Sequence, residues 1–163
     1  MRSVDDSDFD EWVVHNRVRL HKTAFLISGD WHLADDLVQD ALVRCLPKWK
    51  RIVGSGSPDA YVRQALVRLC VDHTRRPSRR ETPVEAMTEP HQASAPDFDH
   101  LLEALQTIPT GQRAILVLRY WDGLSIEETA EAIRTSVGNV KSQSSRGMQA
   151  LRSALGSTES KEA

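Results

Sequence analysis

The sequence predicts an all-α protein, built as two small helical domains joined by a flexible linker. Three observations carry that prediction. Apolar residues recur at three- and four-residue spacing along both halves of the chain. Clusters of Gly, Ser, Asp and Pro interrupt those runs where helices would stop and start. Between the halves, Pro77, Pro83, Pro90 and Pro96, mixed with Ser78, Thr82, Thr88 and Ser94, sustain no period at all. The expected division is 1–76 for the first domain, 77–97 for the linker, 98–155 for the second domain and 156–163 for a disordered tail.

Taken in order, Phe9 to Ile27 reads as a helix whose inner face includes Phe9, Val13, Leu20, Ala24 and Ile27. Ser28-Gly29-Asp30 ends it and caps the next. Trp31 to Trp49 is amphipathic: Leu33, Leu37, Ala41 and Cys45 recur every four residues, while Asp35, Asp36, Gln39, Asp40 and Val43 lie on the other side. That acidic face has two readings, a solvated surface or a dock for a basic partner. Residues 52–58 have the composition of a loop. Asp59 to Arg76 forms the third helix, with Val62, Ala65, Leu66 and Leu69 inward and Gln64, Arg68, Asp72 and Arg75 on another face. Six bases lie between Ala60 and Arg80 (Arg63, Arg68, Arg75, Arg76, Arg79, Arg80) against the single acid Asp72. Such a face suits a nucleic-acid backbone or simply water.

The second half is more specific. Asp97 or Asp99 caps a short helix bearing Leu101, Leu102 and Leu105, and Ile108-Pro109 leads into another from Gln112 to Trp121. Asp122-Gly123 stops that helix. Ser125 and Glu128 then stand in capping-box register. Ile126, Thr129, Ala130 and Ile133 make one inner stripe, and Ser136 caps a last helix whose inner residues are Val140, Met148 and Leu151. Two short helices joined by a tight turn suggest a helix-turn-helix DNA reader. The outer face of the second helix offers Asn139, Lys141, Ser142, Ser145, Arg146 and Gln149, donors and acceptors suited to base edges and phosphates. Arg134, Lys141, Arg146 and Arg152 are basic, and no acid occurs between Ala132 and Gly156. The competing reading is an ordinary helical hairpin with a solvated polar face.

Composition sets the outer limits. The 163 residues carry a formal net charge of −2, with 40% apolar and 27% charged residues. The near-neutral total hides an acidic start and two basic surfaces. The N-terminus lacks the apolar core of a signal peptide, and the longest apolar run, Ala114 to Leu118, is far too short for a bilayer. A cytoplasmic protein without membrane insertion is expected. The two cysteines, Cys45 and Cys70, sit in apolar helical patterns and read as buried thiols. Six histidines without metal-ligand spacing, and no Gly-rich loop after a strand, give no support to an enzyme, a metal or a cofactor.

Taken together, the two halves resemble a bacterial sigma factor of the extracytoplasmic-function (ECF) group of the sigma-70 superfamily. IPTGQRAILVLRYWDGLSIEETAEAI and VGNVKSQSSRGMQALR resemble that family's region 4. ADDLVQDALVRCLPKWKRI and SPDAYVRQALVRLCVDHTRR resemble its region 2. The resemblance implies a non-catalytic protein that binds core RNA polymerase, directs it to promoter DNA and answers to an anti-sigma factor. It implies that the recognition helix, with Asn139, Lys141, Ser142, Ser145 and Arg146, reads the −35 element. It implies that Arg63, Gln64, Arg68, Arg75 and Arg76 face −10 DNA, beside a 52–58 loop that receives a flipped base. It implies that Asp35, Asp36, Gln39 and Asp40 dock on polymerase. The chain departs from the family at Arg68, His73, Thr74 and Ser145, where many members carry Asn or aromatic residues. A stand-alone helix-turn-helix regulator is the alternative; it would use only the second half.

Overall fold

A computed structural model of the chain describes residues 4–75 and 96–159. Every regular element among them is helical. Helix α1 spans Val4–Ser28, α2 Trp31–Cys45, α3 Trp49–Gly54, α4 Pro58–Arg75, α5 Pro96–Gln106, α6 Thr110–Leu116, α7 Ile126–Ile133 and α8 Val137–Glu159. The expected linker lies outside the described residues up to Pro96, which begins α5, a position where proline's missing N–H costs nothing.

The first module is α1 to α4. Gly29, with φ of +76°, makes the turn after α1. The Asp30 carboxylate then accepts from the His32 and Leu33 amides at 2.8 and 3.1 Å and starts α2. α2 ends at Cys45, earlier than the amphipathic pattern predicts, because Pro47 cannot continue it. One 3₁₀ turn, Leu46–Lys48, carries the chain into α3. The 52–58 segment, expected as a loop, is helical over its first three residues. Ile52 belongs to α3 and is buried with Trp49, and the loop contracts to Ser55, Gly56 and Ser57. The reason is aromatic packing: Phe9 meets Trp49 edge-on at 5.0 Å and Trp12 lies 5.3 Å away. Trp12 also donates to Asp59 at 2.7 Å, tying α1 to α4. Cys45 and Cys70 are buried.

In the second module α6 runs without a break into a π turn, Val117–Trp121, in which the Asp122 amide reaches back to the Val117 carbonyl. Gly123, with φ of +72°, closes it. α8 continues to Glu159, past Leu155 where the sequence pattern predicts the module to stop.

The two modules share one apolar core. Leu105, Ile108, Ala114, Leu116, Val117, Leu118, Leu124 and Ala132 of the second pack in the same cluster as Ala24, Ile27, Val62, Leu66 and Val67 of the first. Ile115, Ala130 and Val140 form a smaller core within the helix-turn-helix.

At the junction Arg113 is buried, and its guanidinium donates to four main-chain carbonyls. They are Leu105 (2.8 Å), Gln106 (3.3 Å), Ile108 (2.8 Å) and, across the modules, Ile27 (2.5 Å). Burial lowers its pKa, yet an arginine stays charged. The acceptors cluster at the carboxyl ends of α1 and α5, where helix carbonyls lack partners and carry partial negative charge. Replacing Arg113 with Met should lower unfolding stability by on the order of 3 kcal/mol, read by chemical denaturation, because buried carbonyls lose their donors. Arg113→Lys should recover only part of that, since one ammonium cannot span four acceptors.

Candidate nucleic-acid interface

The helix-turn-helix forms as the local signals predict. Ser125 Oγ accepts from the Glu128 amide at 3.0 Å while the Glu128 carboxylate accepts from the Ser125 amide at 2.7 Å. That backbone bond holds the Glu128 carboxyl below its ordinary pKa. Arg134 ends α7 in the left-handed region at φ 56°, the one non-glycine residue there among those described. Ser136 Oγ accepts from the Asn139 amide at 3.0 Å and opens α8. Val140 is fully buried; Met148 and Leu151 are partly so.

The outer face of α8 is as expected: Asn139, Lys141, Ser142, Ser145, Arg146 and Gln149 are all exposed. Asn139 spends its amide on Thr135 Oγ1 at 2.8 Å. Beside this face runs a groove of about 330 Å³ to which Lys141, Ser145 and Arg152 contribute, together with Arg119 and Tyr120. Arg119 is fixed by donating to the Leu124 carbonyl at 2.6 Å and lies 5.7 Å from the Tyr120 ring centre. Neither residue stands out in the sequence, where both belong to a run that reads as a plain helix end.

The face of α4 is engaged differently. Gln64 donates to the Glu131 carbonyl at 3.0 Å. Arg68 donates to the Ala132 carbonyl at 3.2 Å and the Glu131 carbonyl at 3.3 Å. Burial first, then the nearby Arg134, lowers the Arg68 pKa. Arg63 Nε lies 3.9 Å from Asp122. The Arg75 side chain and all of Arg76 lie outside the described residues.

Asp122, read from sequence only as a helix stop, is a hub between the modules. Its side chain is 1% exposed. It accepts from Thr23 Oγ1 at 3.0 and 3.2 Å, with Arg19 Nε at 3.7 Å on its other side, and Arg19 also donates to its main-chain carbonyl at 3.3 Å. Burial raises the carboxyl pKa, against Thr23, Arg63 and Arg19, which lower it. A turn aspartate and a buried hub look alike in one sequence; only the fold brings α1 and α4 to it.

Below these contacts the Ser55–Ser57 loop, Tyr61 and Arg63 border a cleft of about 220 Å³ whose opposite wall includes Leu124, Glu128, Glu131 and Ala132. On the far side of the first module, the acidic face of α2 is partly balanced within the chain. Asp35 lies 3.3 Å from His21 and 3.9 Å from Arg17 and accepts from Gln39 at 3.1 Å. Asp40 accepts from Arg44 twice, at 3.0 and 3.2 Å. Asp36 is exposed.

Residues 12–80 match the family profile described as sigma-70 region 2, and residues 98–151 match sigma-70, region 4. The chain belongs to the sigma-70 family. The RNA polymerase sigma-E factor of Streptomyces coelicolor is 32% identical over 152 residues, covering 91% of this chain and 86% of that protein. The ECF RNA polymerase sigma factor SigM of Mycobacterium tuberculosis is 30% identical over 155 residues, covering 91% and 77%. These likenesses place the chain among the alternative sigma factors of the ECF group. In fold, this sigma factor is similar to the sigma factor RpoE of Bartonella quintana, solved in complex with the anti-sigma factor NepR. The TM-score is 0.76 at 23% identity, over 91% of this chain and 96% of that one. CnrH, solved with the cytosolic domain of CnrY, gives 0.69 at 21% identity, over 93% and 90%.

Within the sigma factor the capping box is the cheapest element to test. Ser125→Ala removes the acceptor for the Glu128 amide and should cost about 1 kcal/mol, visible as a lower melting temperature by circular dichroism.

Proposed function

We propose that this chain binds core RNA polymerase through the α2 face, reads −35 promoter DNA with α8 and engages −10 DNA with α4. The observation that carries the reading is the exposed face of α8, which has bases and small polar residues and, from Ala132 to Gly156, no acid. It is joined in one chain to a region 2 match that a stand-alone regulator would not need. Lys141, Ser142, Ser145 and Arg146 offer base-edge and phosphate contacts, and Arg119 and Arg152 add phosphate contacts along the adjoining groove. Arg63, Gln64, Arg68, Arg75 and Arg76 serve the −10 strand, beside the Ser55–Ser57 loop as the receiver of a flipped base.

On α2, Asp36 is the acid most free to meet a basic polymerase surface. Asp35, Gln39 and Asp40 already have partners within the chain and act as its flanks. The protein works without a catalytic step of its own, in the cytoplasm, under an anti-sigma factor. The fold neighbours support that last partner, because both were solved with such a protein or with a partner's cytosolic domain. Among the described residues no helix is long and apolar enough to cross a membrane.

Transcription by core polymerase plus this protein, followed by sequencing of the transcript starts, tests the reading; failure to bind core polymerase would sink it. Arg146→Ala should weaken promoter selection by about 1–3 kcal/mol, measured as promoter competition, if Arg146 makes a good base contact. Asp36→Arg should weaken polymerase binding in a pull-down and leave −35 DNA binding by the free protein unchanged.

A further inference from the structure

Helix α1 keeps two large apolar side chains in solvent. Val14 is 77% exposed and Val18 is 64% exposed, four residues apart and so on one face. The other exposed apolar residues lie on other elements: Val43 and Leu46 at α2 and its end, Val53 on α3, Tyr120 and Trp121 at the π turn. On its inner side α1 buries Phe9, Leu20, Ala24 and Ile27, so the two outer valines add nothing to the core. They belong to none of the faces of α2, α4 and α8 assigned above to polymerase and DNA.

Charge along the same helix is ordered. Asp6, Asp8, Asp10 and Glu11 come before the valines, and no Lys or Arg lies between Val4 and Val14. Arg17, Arg19 and Lys22 lie in the second half, and no acid lies between Val14 and Ser28. Glu11, Val14, Val18 and Lys22 succeed one another at three- and four-residue steps and are all exposed. They form one outer row about 17 Å long. The row reads acid, valine, valine, base.

The helix macrodipole favours acids at the amino end and bases at the carboxyl end. It accounts for the order of the charges and not for the valines. A partner that answers both has an apolar centre, a base at one end and an acid at the other. The same row turned end for end has that pattern. In an antiparallel pair centred between Val14 and Val18, each Val14 meets Val18 of the second copy, and each Glu11 falls beside the second copy's Lys22. Two-fold symmetry makes each contact twice, as an isologous interface requires. Parallel helices would instead set Glu11 against Glu11 and Lys22 against Lys22.

We infer that α1 is a self-association surface, through which two copies of this chain pair antiparallel along the Glu11, Val14, Val18 and Lys22 row. A contact between two helix faces of this length lies below the area of stable complexes, so the pairing is weak and transient. Its dissociation constant is on the order of 0.1 mM. The chain is a monomer when dilute and pairs as its concentration rises.

Sedimentation equilibrium of the full chain, from about 10 µM to about 500 µM, tests the pairing. The wild type should move from monomer toward dimer across that range. Val14→Glu places a carboxylate at the centre of the row and should keep the protein monomeric throughout. Glu11→Lys and Lys22→Glu, each alone, turn two attractions into two repulsions and should weaken pairing about fivefold or more. The double variant Glu11→Lys, Lys22→Glu restores opposite charges across the pair and should return to within about twofold of the wild type. Added salt should shrink the differences among the charge variants. All four sites are exposed, so the variants should fold, as circular dichroism can check; Val18→Gln replaces Val14→Glu should the latter unfold. A wild type that stays monomeric at the highest concentration would overturn the inference. So would a dimer that survives the valine variant, which places the contact on another face. A double variant as weak as the single ones would overturn the antiparallel row itself.

Discussion

The guanidinium of Arg113 is the constraint on which the rest of the structure depends. It sits where α1 ends, where α5 ends and where α6 begins, and it answers carbonyls from both modules. Without a donor there, the carboxyl ends of two helices would be buried against each other with their partial charges unmet. With it, α5 packs on the turn after α1, where the amide end of the Gln106 side chain lies over Gly29 and donates to the Leu26 carbonyl at 3.4 Å. The placement of α6, and of everything after it, follows from that fit.

From this junction the second module reaches back over the first. The π turn swings the chain so that Asp122 enters between α1 and α4 while Tyr120 and Trp121 stay exposed. An ordinary α-helical continuation would advance the chain by a different angle and place the carboxylate elsewhere. A backbone irregularity of one turn therefore decides which residues of the two modules meet. α7 follows from it, and with α7 the carbonyls that Arg68 meets.

Much of the architecture was legible in the sequence because it is written in local chemistry. Ser125 and Glu128, Ser136, Asp30 and Gly123 act within a few residues of themselves, and each does what its position implies. The exposed row on α8 was legible for the same reason: helical period alone fixes which side chains lie opposite Val140. Errors arose where distant segments decide. Ile52 reads as loop because Gly54 to Pro58 follow it, but Phe9 and Trp12 pull Trp49 and Ile52 inward as a helix. Arg113 and Asp122 are charged residues in stretches that otherwise read as helix and turn, and nothing nearby in sequence announces their partners. Gln64 and Arg68 were rightly grouped on one face; what that face touches depends on residues more than sixty positions away.

The two thiols carry a separate consequence. Cys45 and Cys70 are buried, and burial pushes the Cys70 thiol up to about 12. A thiol reacts with peroxides and disulfides through its thiolate, and it needs a path to the solvent. Both thiols are shut away in the folded chain, so a thiol reagent that reaches them reports an opening of the first module.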